Sequence, residues 1–467
     1  MDFRIEKDVL GELKVPKEVY WGISTQRALQ NFKISGKIMP RSFIKALAIL
    51  KKACLLANTE LELIDKEISE AILKAIDEII NENRFLDQFP IDIYQTGSGT
   101  QTNMNMNEVL ANRANQILGY PMGQKKPVHP NDHINRCQSS NDVIPTTMHI
   151  STLQLIHKKL LPSLNNLIEV LQQKIEEFDD IIKVGRTHLQ DAVPIPLSME
   201  FNVYKQQIEL SIARISQVCN ELYQIPIGGT AIGTGLNASE KFTNKTIKHL
   251  SKLTQLPFKS NPVKAESISS HNRIVGISNV MRSLVLSLLK MTNDIRWMSS
   301  GPNAGLSELK LPQNEPGSSI MPGKVNPTQC EALMQVCLQI IGNDATITAG
   351  EFYGSILDLN VCKPLIISNL LESIEILSNA INSFIENCLK GIEVNEKKIN
   401  SQLDRLLMVV TNLTPIIGYD KCSEIALKAY ESGKSVKEII KEMGLKFEQD
   451  LDKLLDYRSM AFPNKNK

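Results

Sequence analysis

The residues 315–327, Glu-Pro-Gly-Ser-Ser-Ile-Met-Pro-Gly-Lys-Val-Asn-Pro, place two hydroxyls, an ammonium and a carboxamide among two glycines and three prolines. Proline fixes the backbone and glycine frees it, so the polar groups emerge from a constrained loop. Lys324 offers a point charge to an anion and Asn326 offers amide donors, a combination that a solvated surface loop does not need. A second stretch, Gly97-Ser98-Gly99-Thr100, continues into Gln101, Thr102, Asn103, Asn105 and Asn107. Its hydroxyls and amides suit a carboxylate, and its glycines let a ligand approach the backbone. The GK[ST] ending of a phosphate-binding loop is missing, and a plain turn before a helix N-terminus is the alternative. Ser139, Ser140, Asn141 and Asp142 form a third cluster, where capping and anion binding are compatible uses of the same free amides. In Gly185-Arg186-Thr187-His188-Leu189-Gln190 a single histidine stands among polar groups. A lone histidine is more often structural, but it serves as an acid or base once a carboxylate orients it.

Long amphipathic segments position these groups. Apolar residues recur every three or four positions in four stripes, as in helices that bury one face. The stripes run from Leu160 to Phe178, Phe201 to Leu222, Ile277 to Met298 and Ile367 to Cys388. Pro162 predicts a bend or a fresh helix start near the first stripe, and a shorter fifth helix is expected after Pro327. Aromatic residues are 5% and alternating β-branched runs are scarce, so a large sheet is not expected and a bundle of long antiparallel helices is. Helices this long, apolar on more than one side, predict a symmetric oligomer. The stretches 96–107, 128–142 and 312–327 fit no helical period and are read as the loops that carry chemistry. Boundaries fall near 138 and 393, giving regions 1–138, 139–393 and 394–467.

Composition narrows the class. The chain has 467 residues, and 52 basic against 51 acidic side chains leave a net charge of +1, so no electrostatic footprint for nucleic acid exists. The start, MDFRIEKDVLGELK, mixes charges and lacks an apolar signal core. No uncharged run approaches the roughly 20 residues a membrane span needs. A cytoplasmic protein, or an organellar one in mature form, is expected. Eight scattered cysteines include no CxxC pair, so a metal centre is not expected and the chemistry must rest on side-chain acids, bases and hydrogen bonds.

Taken together, the motifs resemble the fumarase/aspartase superfamily, and within it the metal-independent class II fumarases. The likeness covers nearly the whole chain: WGISTQRAL, GSGTQTNMNMNEVLANRA, HPNDHINRCQSSND, GRTHLQDAVP, GGTAIGTGLN and NEPGSSIMPGKVNPTQCEA. It implies an all-α, mostly helical, three-domain subunit that assembles as a homotetramer, with each active site built from loops of three subunits. It further implies reversible hydration of fumarate to (S)-malate, a step of the tricarboxylic acid cycle, with no cofactor and no metal. By this resemblance Ser318 matches the catalytic base, and His188 with its partner Glu331 matches the second catalytic position. Ser98, Thr100, Ser139, Ser140, Asn141, Thr187, Ser319, Lys324 and Asn326 match substrate contacts. Lys126, His129, Asn131 and Asp132 match a second anion site near the entrance. Asn303 and the segment 351–364 depart from the fumarase pattern. An aspartate ammonia-lyase is the runner-up, but PTQCEA after Asn326 sides with fumarase. A non-catalytic helical assembly is a further alternative, opposed by the joint presence of Ser318, His188, Lys324 and Glu331.

Overall fold

A computed structural model describes residues 2–463. Helices dominate it, and every sheet among the described residues has only two strands. The four stripes lie on the helices Leu161–Glu177, Leu197–Leu222, Asn272–Met298 and Lys363–Asn387. Ile277, Leu284, Leu288, Met291, Ile295 and Met298 are all buried, as are Ile367, Leu370, Ile374, Leu377, Ile381, Phe384 and Cys388. Each such side chain contributes about 1.5–3 kcal/mol on leaving water, which is what holds helices of this length in place. Asn272–Met298 is long and apolar enough to cross a membrane by length and composition, yet this stripe of it faces protein.

Before Pro162 the chain runs as a π-helical turn, Ile156–Leu160, and the α-helix restarts at Leu161. The proline then sits in the first turn, where its missing N–H costs nothing. The helix after Pro327 is not short: it runs Thr328–Gly354, 27 residues. Its repeat is masked because Asn343 and Asp344 are buried polar residues, with Asp344 accepting from Ser278 Oγ at 2.6 Å and Arg282 Nη1 at 2.7 Å. The segment 96–107 is likewise mostly helix, beginning at Thr100 and running to Ile117.

The chain divides into two compact units. The first, residues 1–162, 211–285 and 338–378, packs the Arg41–Glu60 helix, with Phe43, Leu47, Leu50 and Ala53 buried along it, against Glu240–Thr254 and Ser140–Leu155. The second comprises 163–210, 286–337 and 379–467. In it the short helices beyond residue 395 close a core of Ile399, Leu403, Leu413, Ile425 and Ile440 over Ile182 and Val184.

Candidate functional site

The second unit holds the glycine- and proline-rich loop. Ser318 Oγ accepts hydrogen bonds from the backbone N–H of Ile320 at 3.3 Å and of Met321 at 3.1 Å. Lys324 Nζ donates to Asn326 Oδ1 at 2.9 Å, and Asn326 Nδ2 donates to the carbonyl of Gly317. These contacts fold the loop around an open cavity of about 430 Å³ lined by Gly317, Ser318, Met321 and Lys324. Gly317 is obligatory, because a Cβ there would lie 1.8 Å from the Lys324 carbonyl oxygen. Two N–H dipoles aimed at a hydroxyl oxygen favour its anion, and a nearby ammonium adds to the effect. Ser319 and Lys324 are exposed, while Ser318 and Asn326 are half-buried.

His188 stands at the tip of a hairpin formed by Ile182–Thr187 and Gln190–Pro196. Thr187 pairs with Gln190, so the turn has only two residues, and both have left-handed backbones: φ is 56° at His188 and 61° at Leu189. Such turns favour asparagine and glycine; a histidine there is strained and persists only if its surroundings hold it. They do. Arg186 Nη1 donates to Glu308 Oε1 at 2.6 Å, and Lys183 Nζ lies 3.2 Å from Glu308 Oε2 and 3.1 Å from Glu200 Oε1. Lys183 and Glu308 are buried, and burial raises the Glu200 carboxyl above its usual range against the pull of Lys183. Thr187 and His188 themselves are exposed. Glu331 lies in the first turn of Thr328–Gly354, half-buried. Among the described residues no hydrogen bond joins it to His188.

In the first unit two helix N-termini are tied together by hydroxyls. Ser98 Oγ is 2.8 Å from Thr100 Oγ1, which is 2.8 Å from Ser140 Oγ. Thr100 opens one helix and Ser139 caps the next, so free N–H groups and two helix dipoles lie beside a chain of hydroxyls, a ready anion site. Asn141 Nδ2 donates to the carbonyl of Ala231 at 2.9 Å. Asp142 completes a capping box and is fully buried. It accepts from the N–H groups of Ser139, Gly228 and Thr230. Burial nonetheless pushes its carboxyl up to about 6.

The predicted second anion site is partly gathered. His129 caps the turn Pro130–Ile134, its Nδ1 accepting from the N–H groups of Asn131 and Asp132, each at 3.2 Å. Asp132 Oδ2 lies 3.3 Å from the same nitrogen. Lys126 is exposed.

Two residues with no role in the sequence reading also bear on these sites. Glu308 is one. The other is Lys51, buried on the apolar face of Arg41–Glu60, whose ammonium donates to Asn135 Oδ1 and Gln138 Oε1 at 3.0 Å each. Burial lowers it to about 7. Asn103 and Asn107 donate to the same Asn135 oxygen, so Lys51 ties the Ser139 segment to the helix that follows Ser98. The available signal was a lysine on a buried helix face. Among the described residues no group of three His, Cys, Asp or Glu side chains could hold a metal ion.

Comparison with known proteins gives the family. Residues 11–342 match the family described as Lyase, and residues 409–461 match Fumarase C C-terminus. The chain is 49% identical over 454 residues to a class II fumarate hydratase of Rickettsia prowazekii, covering 97% of this chain and 98% of the relative. It is 49% identical over 452 residues to a mitochondrial fumarate hydratase of Rhizopus oryzae, covering 96% and 91%. The crystal structure of a class II fumarase from Schistosoma mansoni superposes with a TM-score of 0.96 at 41% identity, covering 99% of this chain and all of that one. With nearly full-length matches on sequence and on structure, the chain belongs to the class II fumarate hydratase family.

Proposed function

We infer that the chain interconverts fumarate and (S)-malate by removing and adding water. The observation that carries this reading is the Ser318 loop, where two backbone N–H groups support Oγ within a loop that also presents Lys324 and Asn326. In the dehydration direction the Ser318 alkoxide takes a proton from the carbon beside one carboxylate of malate. The electron pair moves into that carboxylate, where Lys324 and Asn326 offset the added negative charge. The C–O bond then breaks, the double bond forms, and the leaving hydroxide takes a proton held by His188, oriented by Glu331, to depart as water. The second carboxylate is held by the donors at Ser98, Thr100, Ser139, Ser140 and Asn141, with Thr187 and Ser319 as further contacts. Lys126, His129, Asn131 and Asp132 form an entrance site for the same dianion. No step calls for a cofactor.

The working form in this reading is a cytoplasmic homotetramer, each site drawing loops from three subunits. The chain divides for this role at 138 and 393, which is supported by the helix cap at Ser139 and by the separate core of the last short helices. Nothing favours ammonia as the nucleophile over water.

The test is a parallel assay of one preparation with malate and with aspartate, with and without chelator. Malate turnover that chelator leaves unchanged is expected; activity with aspartate alone overturns the reading. Ser318→Ala and His188→Asn should each lower kcat by roughly 100-fold or more, the scale on which positioned acid/base groups act, with the fold unchanged by circular dichroism.

A further inference from the structure

We infer that Glu308 is a positioning residue for the reaction: its buried carboxylate fixes the hairpin that presents His188 to the strand that opens the Ser318 loop. The inference rests on the proposed hydration chemistry, but its geometry stands alone. Glu308 has no exposed surface, and both its backbone groups are held: its N–H donates to the Met298 carbonyl at 2.7 Å and its carbonyl accepts from the Asn395 N–H at 2.8 Å. The next two residues, Leu309 and Lys310, pair with Val394 and Glu393, and the chain then enters the Ser318 loop. From this fixed point the carboxylate reaches Arg186 through Oε1 and Lys183 through Oε2, both on the strand Ile182–Thr187 that leads into His188.

Stability does not account for this arrangement. A buried ion cluster is often no more stable than well-packed apolar residues of the same volume, because the charges lose their hydration. What it supplies is direction: two cations on one strand meet one carboxylate, so the strand can neither slide nor twist without leaving charge unpaired. A two-residue turn with a histidine in the left-handed region needs such a brace. Lys183 also contacts Glu200, at the start of the helix that follows the hairpin, so both ends of the hairpin are held. Beside the cluster a cavity of about 270 Å³, lined by Leu189, Val203, Tyr204 and Trp297, leaves the hairpin little packing on that side.

The test uses the full-length protein and three variants. Glu308→Gln keeps the shape but removes the buried counter-charge, leaving Lys183 with the half-buried Glu200 and Arg186 with the exposed Asp191 at 3.8 Å. The double variant Arg186→Met with Glu308→Gln restores charge balance through Lys183 and Glu200 and removes the brace, so it covers the case in which the single variant fails to fold. Glu308→Asp keeps the charge. For Glu308→Gln and the double variant we expect kcat for malate to fall at least tenfold, with KM within threefold and thermal unfolding cooperative. Glu308→Asp should recover most of the loss. Hydrogen exchange should quicken at residues 186–191 while the long helices stay protected; this readout does not depend on the substrate. The proposal is overturned if the double variant keeps kcat within twofold of the unmodified protein. It is equally overturned if kcat falls only together with KM, or if exchange quickens throughout the chain.

Discussion

A serine is a weak base in water, so the role proposed for Ser318 requires the loop around it to stabilise the alkoxide. The Ile320 and Met321 N–H groups reach Oγ only while Gly317 lies against the Lys324 carbonyl and Asn326 spans the loop back to Gly317. Gly317→Ala should therefore separate catalysis from folding. The added methyl lands 1.8 Å from a backbone oxygen, so the loop must open and Oγ must shift. A displacement of about 1 Å at a reacting atom costs on the order of 100-fold in rate. Steady-state kinetics should show that loss in kcat, while the melting temperature moves little because the loop is open to solvent. Unchanged kcat would mean that the observed loop geometry is not the one used in turnover. At this scale the proposed site was legible wherever chemistry is written in residue types: Ser318, Lys324, Asn326, Ser98 and His188 stand out as candidates, being polar groups near glycine or proline. Glu308 and Lys51 did not, because a single charge in an apolar neighbourhood has no local pattern. Their partners, Arg186 and Asn135, lie far away in sequence.

Helices place these residues through their ends. Thr100 and Ser140 begin helices whose first turns are joined by hydroxyls, and the Ser140–Leu155 helix is held by what lies buried along it. His149 is fully buried there, its Nδ1 3.0 Å from the Leu222 carbonyl, and burial depresses its pKa to about 4. Below pH 6.5 the unfolded chain binds a proton at this histidine that the native protein refuses until about pH 4, so acid removes stability across that window. The unmodified protein should lose about 2 kcal/mol from this group between pH 7 and pH 5, and His149→Gln should not. Urea unfolding of both proteins at the two pH values measures the difference; a constant gap would mean that His149 titrates alike in both states. At the scale of elements the sequence was most readable where burial is purely apolar. The four stripes became four long helices. Polar residues inside a helix concealed the rest: buried Asn103, Asn105 and Asn107 made the start of Thr100–Ile117 look like loop, and Asn343 and Asp344 hid most of Thr328–Gly354. The His188 hairpin was missed because a bulge at Gly185 and prolines at 194 and 196 break its alternation.

A single protomer leaves apolar surface that a stable enzyme seldom exposes to water. Trp297 is 54% exposed and Leu338 57%, both on long helices, and Phe352, Tyr353 and Leu357 cluster near the end of Thr328–Gly354 with 74% or more of their surface free. Phe352, Tyr353 and Leu357 lie in the segment 351–364, where the chain departs from the usual fumarase wording, so that departure keeps an apolar character. His188 is exposed at its hairpin tip, and the proposed shared site would have it complete the site of a neighbouring subunit. Complementation tests this directly. Ser318→Ala and His188→Asn chains, each inactive alone, should recover activity when co-expressed with different tags and purified through both. If the serine and histidine of one site come from different chains, random mixing places two intact residues in about a quarter of the sites of a symmetric oligomer. If they come from the same chain, every site contains one defect and mixing restores nothing. Mixed oligomers that form, as sized by light scattering, yet stay inactive would place the whole site within one chain and end the shared-site reading.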